Sequence, residues 1–135
     1  MNYKIEEVEG IGPAYGEKLS GAGIANTGKL LEVCGGAAGR KSVAEKTGIS
    51  EKLLLQWANQ ADLMRIKGVG KQFAELLEAA GVDTVKELKH RNAANLAVKM
   101  AEVNGEKKLT RATPREDQVA DWVEQAKTME PRISH

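Results

Sequence analysis

Aromatic residues are scarce in this chain, at 4 % of 135 residues. A core must therefore be built from Leu, Val, Ile and Ala. There is one cysteine, Cys34. It excludes an internal disulfide and fits a reducing compartment. No apolar run is long enough to cross a bilayer, which excludes a membrane partner. Met1-Asn2-Tyr3-Lys4 leads into acidic residues instead of a hydrophobic leader, so the expected location is cytoplasmic. Net charge is only +1. A whole-molecule basic field is therefore absent, and any polyanion binding must rest on local patches. The two histidines, His90 and His135, make no familiar metal spacing with Cys34. Nucleotide-binding loops, dinucleotide fingerprints and nucleophile elbows are all missing. The chain reads as a non-enzyme without a cofactor.

What is there is a glycine-rich pattern inside helix-forming sequence. The stretch Arg65–Val82 reads RIKGVGKQFAELLEAAGV. Gly68 and Gly70 permit a tight reversal between two helices, and Val69 between them can plug the turn into the core. The helix that follows begins with backbone N–H groups that have no partner inside it. Together with the positive end of the helix dipole, those groups suit a phosphate. Lys67 and Lys71 flank the turn and add charge, and Gln72 lies on the first turn of the helix.

The pattern occurs twice. Gly10, Gly12, Tyr15, Gly16, Leu19, Gly23, Ile24 and Leu30 match Gly68, Gly70, Phe73, Ala74, Leu77, Gly81, Val82 and Leu88 at one offset of 58 (68 − 10). Type-consistent matches at a single offset indicate an internal duplication. Trp57-Ala58 and Gln60-Ala61 then match Trp122-Val123 and Gln125-Ala126 at an offset of 65 (122 − 57), so the second copy carries a longer loop. The expected organisation is a first repeat over 1–60, a second over 61–130, and a flexible tail over 131–135.

Cap signals place the helices. They are expected over Lys4–Val8, from Pro13 to about Gly21, and over Thr27–Val33, Gly39–Lys46 and Glu51–Ala61, the last capped by Ser50. The second copy repeats them after Gly70, over Thr84–Arg91 and Ala93–Val103, and over Pro114–Met129 behind a long loop, Asn104–Thr113. No strand pattern exceeds a few residues. The fold class is all-α, two tandem repeats packed as one compact helical unit.

The Ile66, Gly68, Val69, Gly70, Ala74, Leu76 and Leu77 pattern resembles the helix-hairpin-helix motif of DNA-binding proteins that ignore base sequence. The small residue, Ala74 or Gly16, permits close helix approach. The wider combination, with Ala-Gly-Val-x-Thr-Val-x-x-Leu and a later Gly48-Ile49-Ser50 corner, is similar to compact SAM-like helical domains. Such domains occur in strand-exchange recombinases and in the RNA polymerase alpha subunit. The run Ala61–Asn92 resembles an uncharacterised, mostly bacterial family of duplicated helix-hairpin-helix proteins, a domain of unknown function. The resemblance implies backbone contacts to DNA phosphates by Gly68, Val69, Gly70, Lys71 and Gln72. It implies the same for Gly10, Ile11, Gly12, Pro13 and Ala14 in the first copy. Glu9 stands where the second copy has Lys67, so the second corner is expected to be the better phosphate site. The resemblance also allows a monovalent cation on the corner carbonyls.

Lys107, Lys108 and Arg111 form a second basic cluster in the long loop, read either as an extra phosphate clamp or as a solvated loop. The matched aromatics Tyr15/Phe73 and Trp57/Trp122 read as core packing, with base stacking as the other use. Cys34 reads as a buried inert thiol. Two functions follow: sequence-independent DNA binding, or a protein–protein adaptor built on the same helices.

Overall fold

The computed structural model describes residues 2–135. A short 3-10 turn, Ile5–Glu7, precedes helices α1 (Pro13–Gly21), α2 (Thr27–Cys34), α3 (Ala37–Thr47) and α4 (Glu51–Leu63). The second half supplies α5 (Lys71–Ala79), α6 (Val85–Leu88), α7 (Ala93–Lys107) and α8 (Glu116–Lys127). No strand occurs among the described residues; an isolated antiparallel bridge joins Lys4 to Asn26. The protein is all-α.

Each half ends on a helix that covers its predecessors: α4 packs on α2 and α3, and α8 on α6 and α7. The halves meet where α4 touches α5. Their buried side chains form one continuous cluster, from Ile5 and Leu19 through Trp57 and Leu63 to Leu77, Met100 and Trp122. Neither half alone buries enough apolar surface to be comfortable, and sharing one interior answers that.

The two glycine corners carry the same backbone. Gly10 has φ +91° and Gly68 φ +99°, a region that L side chains avoid. An indole lies against each. A Cβ placed on Gly10 would stand 3.1 Å from Trp57 Nε1, and one on Gly68 would stand 3.1 Å from Trp122 Nε1. Trp57 and Trp122 are 1 % and 2 % exposed, so core packing is their role. Tyr15 sits edge-on to Trp57 at 5.0 Å between ring centres, and Phe73 tilts against Trp122 at 5.2 Å. Caps fall where the side chains dictate: Asn26, Ser50, Thr84 and Asn92 each accept from the amide three residues on.

The helix expected over Lys4–Val8 is only the 3-10 turn, and the one expected over Thr84–Arg91 spans only Val85–Leu88. Three further expectations need correction. The helix expected to stop at Val103 runs on to Lys107, because Asn104 faces inward and clasps Thr110 through both its N–H (2.9 Å) and its C=O (3.0 Å). The loop signal of Asn104-Gly105 is overridden by that contact. The last helix begins at Glu116, not Pro114; Pro114 is buried ahead of it, and Gln118 Oε1 takes the Arg115 amide at 2.9 Å. Residues 131–135 do not form a free tail. Ser134 donates its N–H to the Gly35 carbonyl at 2.8 Å, and its own carbonyl accepts from Arg40 Nη2 at 2.6 Å. Arg40 is 4 % exposed and spends its other bonds on the Cys34 and Gly35 carbonyls at the end of α2. Ile133 packs on the core, and the Arg132 carbonyl passes so near Gly35 that no Cβ fits there. A buried cation needs acceptors, and the chain's own end supplies one.

Replacing Gly10 or Gly68 with Ala should destabilise the protein by about 1–3 kcal/mol, the scale of a strained positive φ. Gly12→Ala, at φ −84° with open space around its Cβ position, should stay within about 1 kcal/mol. Urea unfolding midpoints distinguish the two outcomes.

Candidate polyanion-binding corners

The second corner is held from both sides. Val69, fully buried, donates its N–H to the Ile66 carbonyl at 3.0 Å. Gln125 of α8 clasps Lys67, accepting from its N–H at 2.9 Å and donating to its C=O at 3.0 Å. Asp121 fixes that amide by accepting from Gln125 Nε2 at 3.0 Å. The first intrahelical bond of α5 runs from Ala74 N–H to the Gly70 carbonyl at 2.9 Å. This leaves the amides of Gly68, Gly70, Lys71 and Gln72 with no acceptor among the described residues. Lys67, Gly68, Lys71 and Gln72 are exposed. A backbone nest of this kind, at a helix start, accommodates an oxyanion.

The first corner repeats the frame: Ile11 N–H donates to the Val8 carbonyl at 3.1 Å, and Gly16 N–H to the Gly12 carbonyl at 2.8 Å. Gly10, Gly12 and Ala14 are exposed, with Ile11 buried like Val69. Pro13 stands where the second corner has Lys71, so one donor fewer is offered. The clasp also differs. Gln60, the counterpart of Gln125, turns its Nε2 to the Glu78 carboxylate and leaves its Oε1 buried without a partner.

The corners are neighbours. Lys71 Nζ lies 3.2 Å from the Glu9 carboxylate, so the charged residue of one corner pairs with that of the other. Lys71 and, less strongly, Lys107 at the end of α7 favour the charged form of Glu75. Lys108 and Arg111 are exposed and make no hydrogen bond to either corner. Lys108 takes a left-handed conformation, φ +52°, as it ends α7. Of the expected cluster, Lys107 ends α7 and Lys108 and Arg111 follow it in the loop; all three are exposed, and none bonds to either corner.

Acidic residues also reach the site. A cavity beside the second corner is lined by Lys67 and Gly68 and by Asp117, Asp121, Trp122 and Gln125. Asp117 is held below the usual carboxylate range by a hydrogen bond from Arg115, so it stays charged. Burial, with Glu9 next in weight, raises the Glu75 carboxyl. Asp121 and Gln125 escaped the sequence reading as corner residues, although Gln60 and Gln125 stood at matching positions. Among the described residues, no cluster of His, Cys, Asp and Glu is placed to hold a metal ion. No helix among the described residues is long and apolar enough to cross a membrane.

A family model described as Domain of unknown function (DUF4332) matches residues 9–129. The chain belongs to the DUF4332 family. Neither the curated proteins nor the solved structures offer a significant match. The matched segment of this DUF4332 protein runs from Glu9, at the first corner, to Met129, just beyond α8.

Two measurements check the local electrostatics. Burial pushes the Cys34 thiol up to about 11. Its thiolate is scarce at neutral pH, and a disulfide-exchange reagent should label it only at the rate of unfolding. Glu75 binds its proton more tightly folded than unfolded. Its ionisation therefore weakens the fold as pH rises through the carboxylate range. Glu75→Gln should raise the denaturation midpoint at pH 7 and lose that advantage in acid.

Proposed function

We propose that this DUF4332 protein binds nucleic acid, DNA foremost, without base specificity and without catalysis. The grip is on backbone phosphates through two helix-hairpin-helix corners. The observation that supports this reading most is the set of amides without an acceptor at Gly68, Gly70, Lys71 and Gln72, with exposed Lys67 and Lys71 beside them. Peptide N–H groups and lysines both address phosphate oxygens, and neither reads a base edge. The second corner is the main site, with one donor more than the first. Gly10, Gly12 and Ala14 supply a weaker contact, while Ile11 and Val69, buried with their amides bonded internally, only hold the corners in shape; Lys107 adds charge. The matched φ values and indole contacts of the two corners support treating them as copies of one motif.

A second reading rests on a different observation. Glu9 neutralises Lys71, and Asp117 and Asp121 border Lys67. That mixture of signs also suits a protein partner, and it makes the chain an adaptor if nucleic acid does not bind.

Fluorescence anisotropy with a labelled duplex tests the proposal. Affinity should fall steeply with salt. Lys67→Glu/Lys71→Glu should abolish binding while circular dichroism stays unchanged. Glu9→Gln frees Lys71 and should tighten binding about two- to fivefold, the scale of an exposed ion pair. No affinity at low salt for duplex, branched or single-stranded DNA would overturn the nucleic-acid reading in favour of the adaptor.

A further inference from the structure

The docked end of the chain creates a second basic site that neither corner uses. A cavity of about 400 Å³ lies between the start of α2 and the returning tail. Arg65 and Arg132 both line it, with Thr27, Gly28, Asn2 and Glu32. Arg65 is mostly buried, its side chain 18 % exposed. It bonds only through Nη1, to Asp62 Oδ1 at 2.6 Å and to the Glu130 carbonyl at 3.0 Å. Its Nε and Nη2 have no acceptor among the described residues. Asp62, at 1 % exposure, also accepts from the Val85 amide at 2.9 Å, which fixes the arginine from behind. The Arg132 side chain has no carboxylate or hydrogen-bond partner among the described residues. Glu32 is the one carboxylate lining the cavity, and it is engaged by Lys29 at 3.5 Å. Gly28, whose amide has no acceptor among the described residues, also lines the cavity.

We propose that this cavity binds a compact oxyanion, a phosphate or a small phosphate monoester, that bridges Arg65 to Arg132. Asp62 offsets the charge of Arg65, which offers its free Nε and Nη2 donors, while Arg132 supplies the uncompensated positive charge; together they suit such an anion. Arg65 belongs to the body of the protein, and Arg132 arrives with the tail. An oxyanion between them therefore also pins the tail, whose Ser134 amide donates to Gly35. None of these residues belongs to a glycine corner, so the site stands or falls apart from nucleic-acid binding.

The test is titration of inorganic phosphate into isotope-labelled full chain at constant ionic strength. Saturable amide shifts at Gly28, Leu31 and Arg132 are expected, with slower hydrogen exchange at Ser134 as phosphate saturates. Arg132→Gln, a change at an exposed side chain, should weaken binding about tenfold or more. Lys67→Glu/Lys71→Glu should leave it unchanged. Glycerol phosphate binding more tightly than phosphate assigns the site to an ester, and the reverse order assigns it to the free ion. Phosphate shifts no larger than those from chloride, equal binding by Arg132→Gln, or unaltered Ser134 exchange would overturn the proposal.

Discussion

An indole ring pressed against a glycine of positive φ is the constraint on which the rest of this molecule depends. It occurs at Gly10 under Trp57 and at Gly68 under Trp122. The glycine lets the chain reverse, and the ring fills the space its missing side chain leaves. Each tryptophan comes from the last helix of its half, so each closing helix is registered on its corner. Corner, closing helix and interior are then one unit, and the corner cannot shift without disturbing the core.

That rigidity has an electrostatic side. A corner whose shape is set by packing keeps its unbonded amides in a fixed arrangement. No ordering cost remains for those groups. What varies between the corners is the charge around the frame: Lys67 with two aspartates at one, Glu9 at the other. The Glu9–Lys71 pair couples them. In the proposed function the backbone sets where an anion would sit, and the side chains how strongly it would be held.

Much of the architecture was legible because it rests on glycine and on helical periodicity. Eight residue pairs at one offset located both corners, and the matched tryptophans placed the closing helices. Two of the errors share one cause. Asn104-Gly105 and the last residues carry local signals for a loop and for fraying, yet Thr110 and Arg40 hold them from outside their own turn. The start at Glu116 instead follows a local contact, Gln118 on the Arg115 amide, which outweighs the Pro114 signal. Side chains that clasp another segment's backbone leave little trace in local sequence. The candidate site was legible as a backbone feature. The acidic border from α8 was not, because helical spacing says nothing about which corner a helix faces until the helices are packed.

Arg40 carries a consequence of its own. Its partners are three main-chain carbonyls and no carboxylate. Carbonyl oxygens neither gain nor lose protons in water, and a guanidinium keeps its proton throughout. The buckle that fastens the chain's end is therefore indifferent to acidity, and it holds in acid where a carboxylate clasp would open.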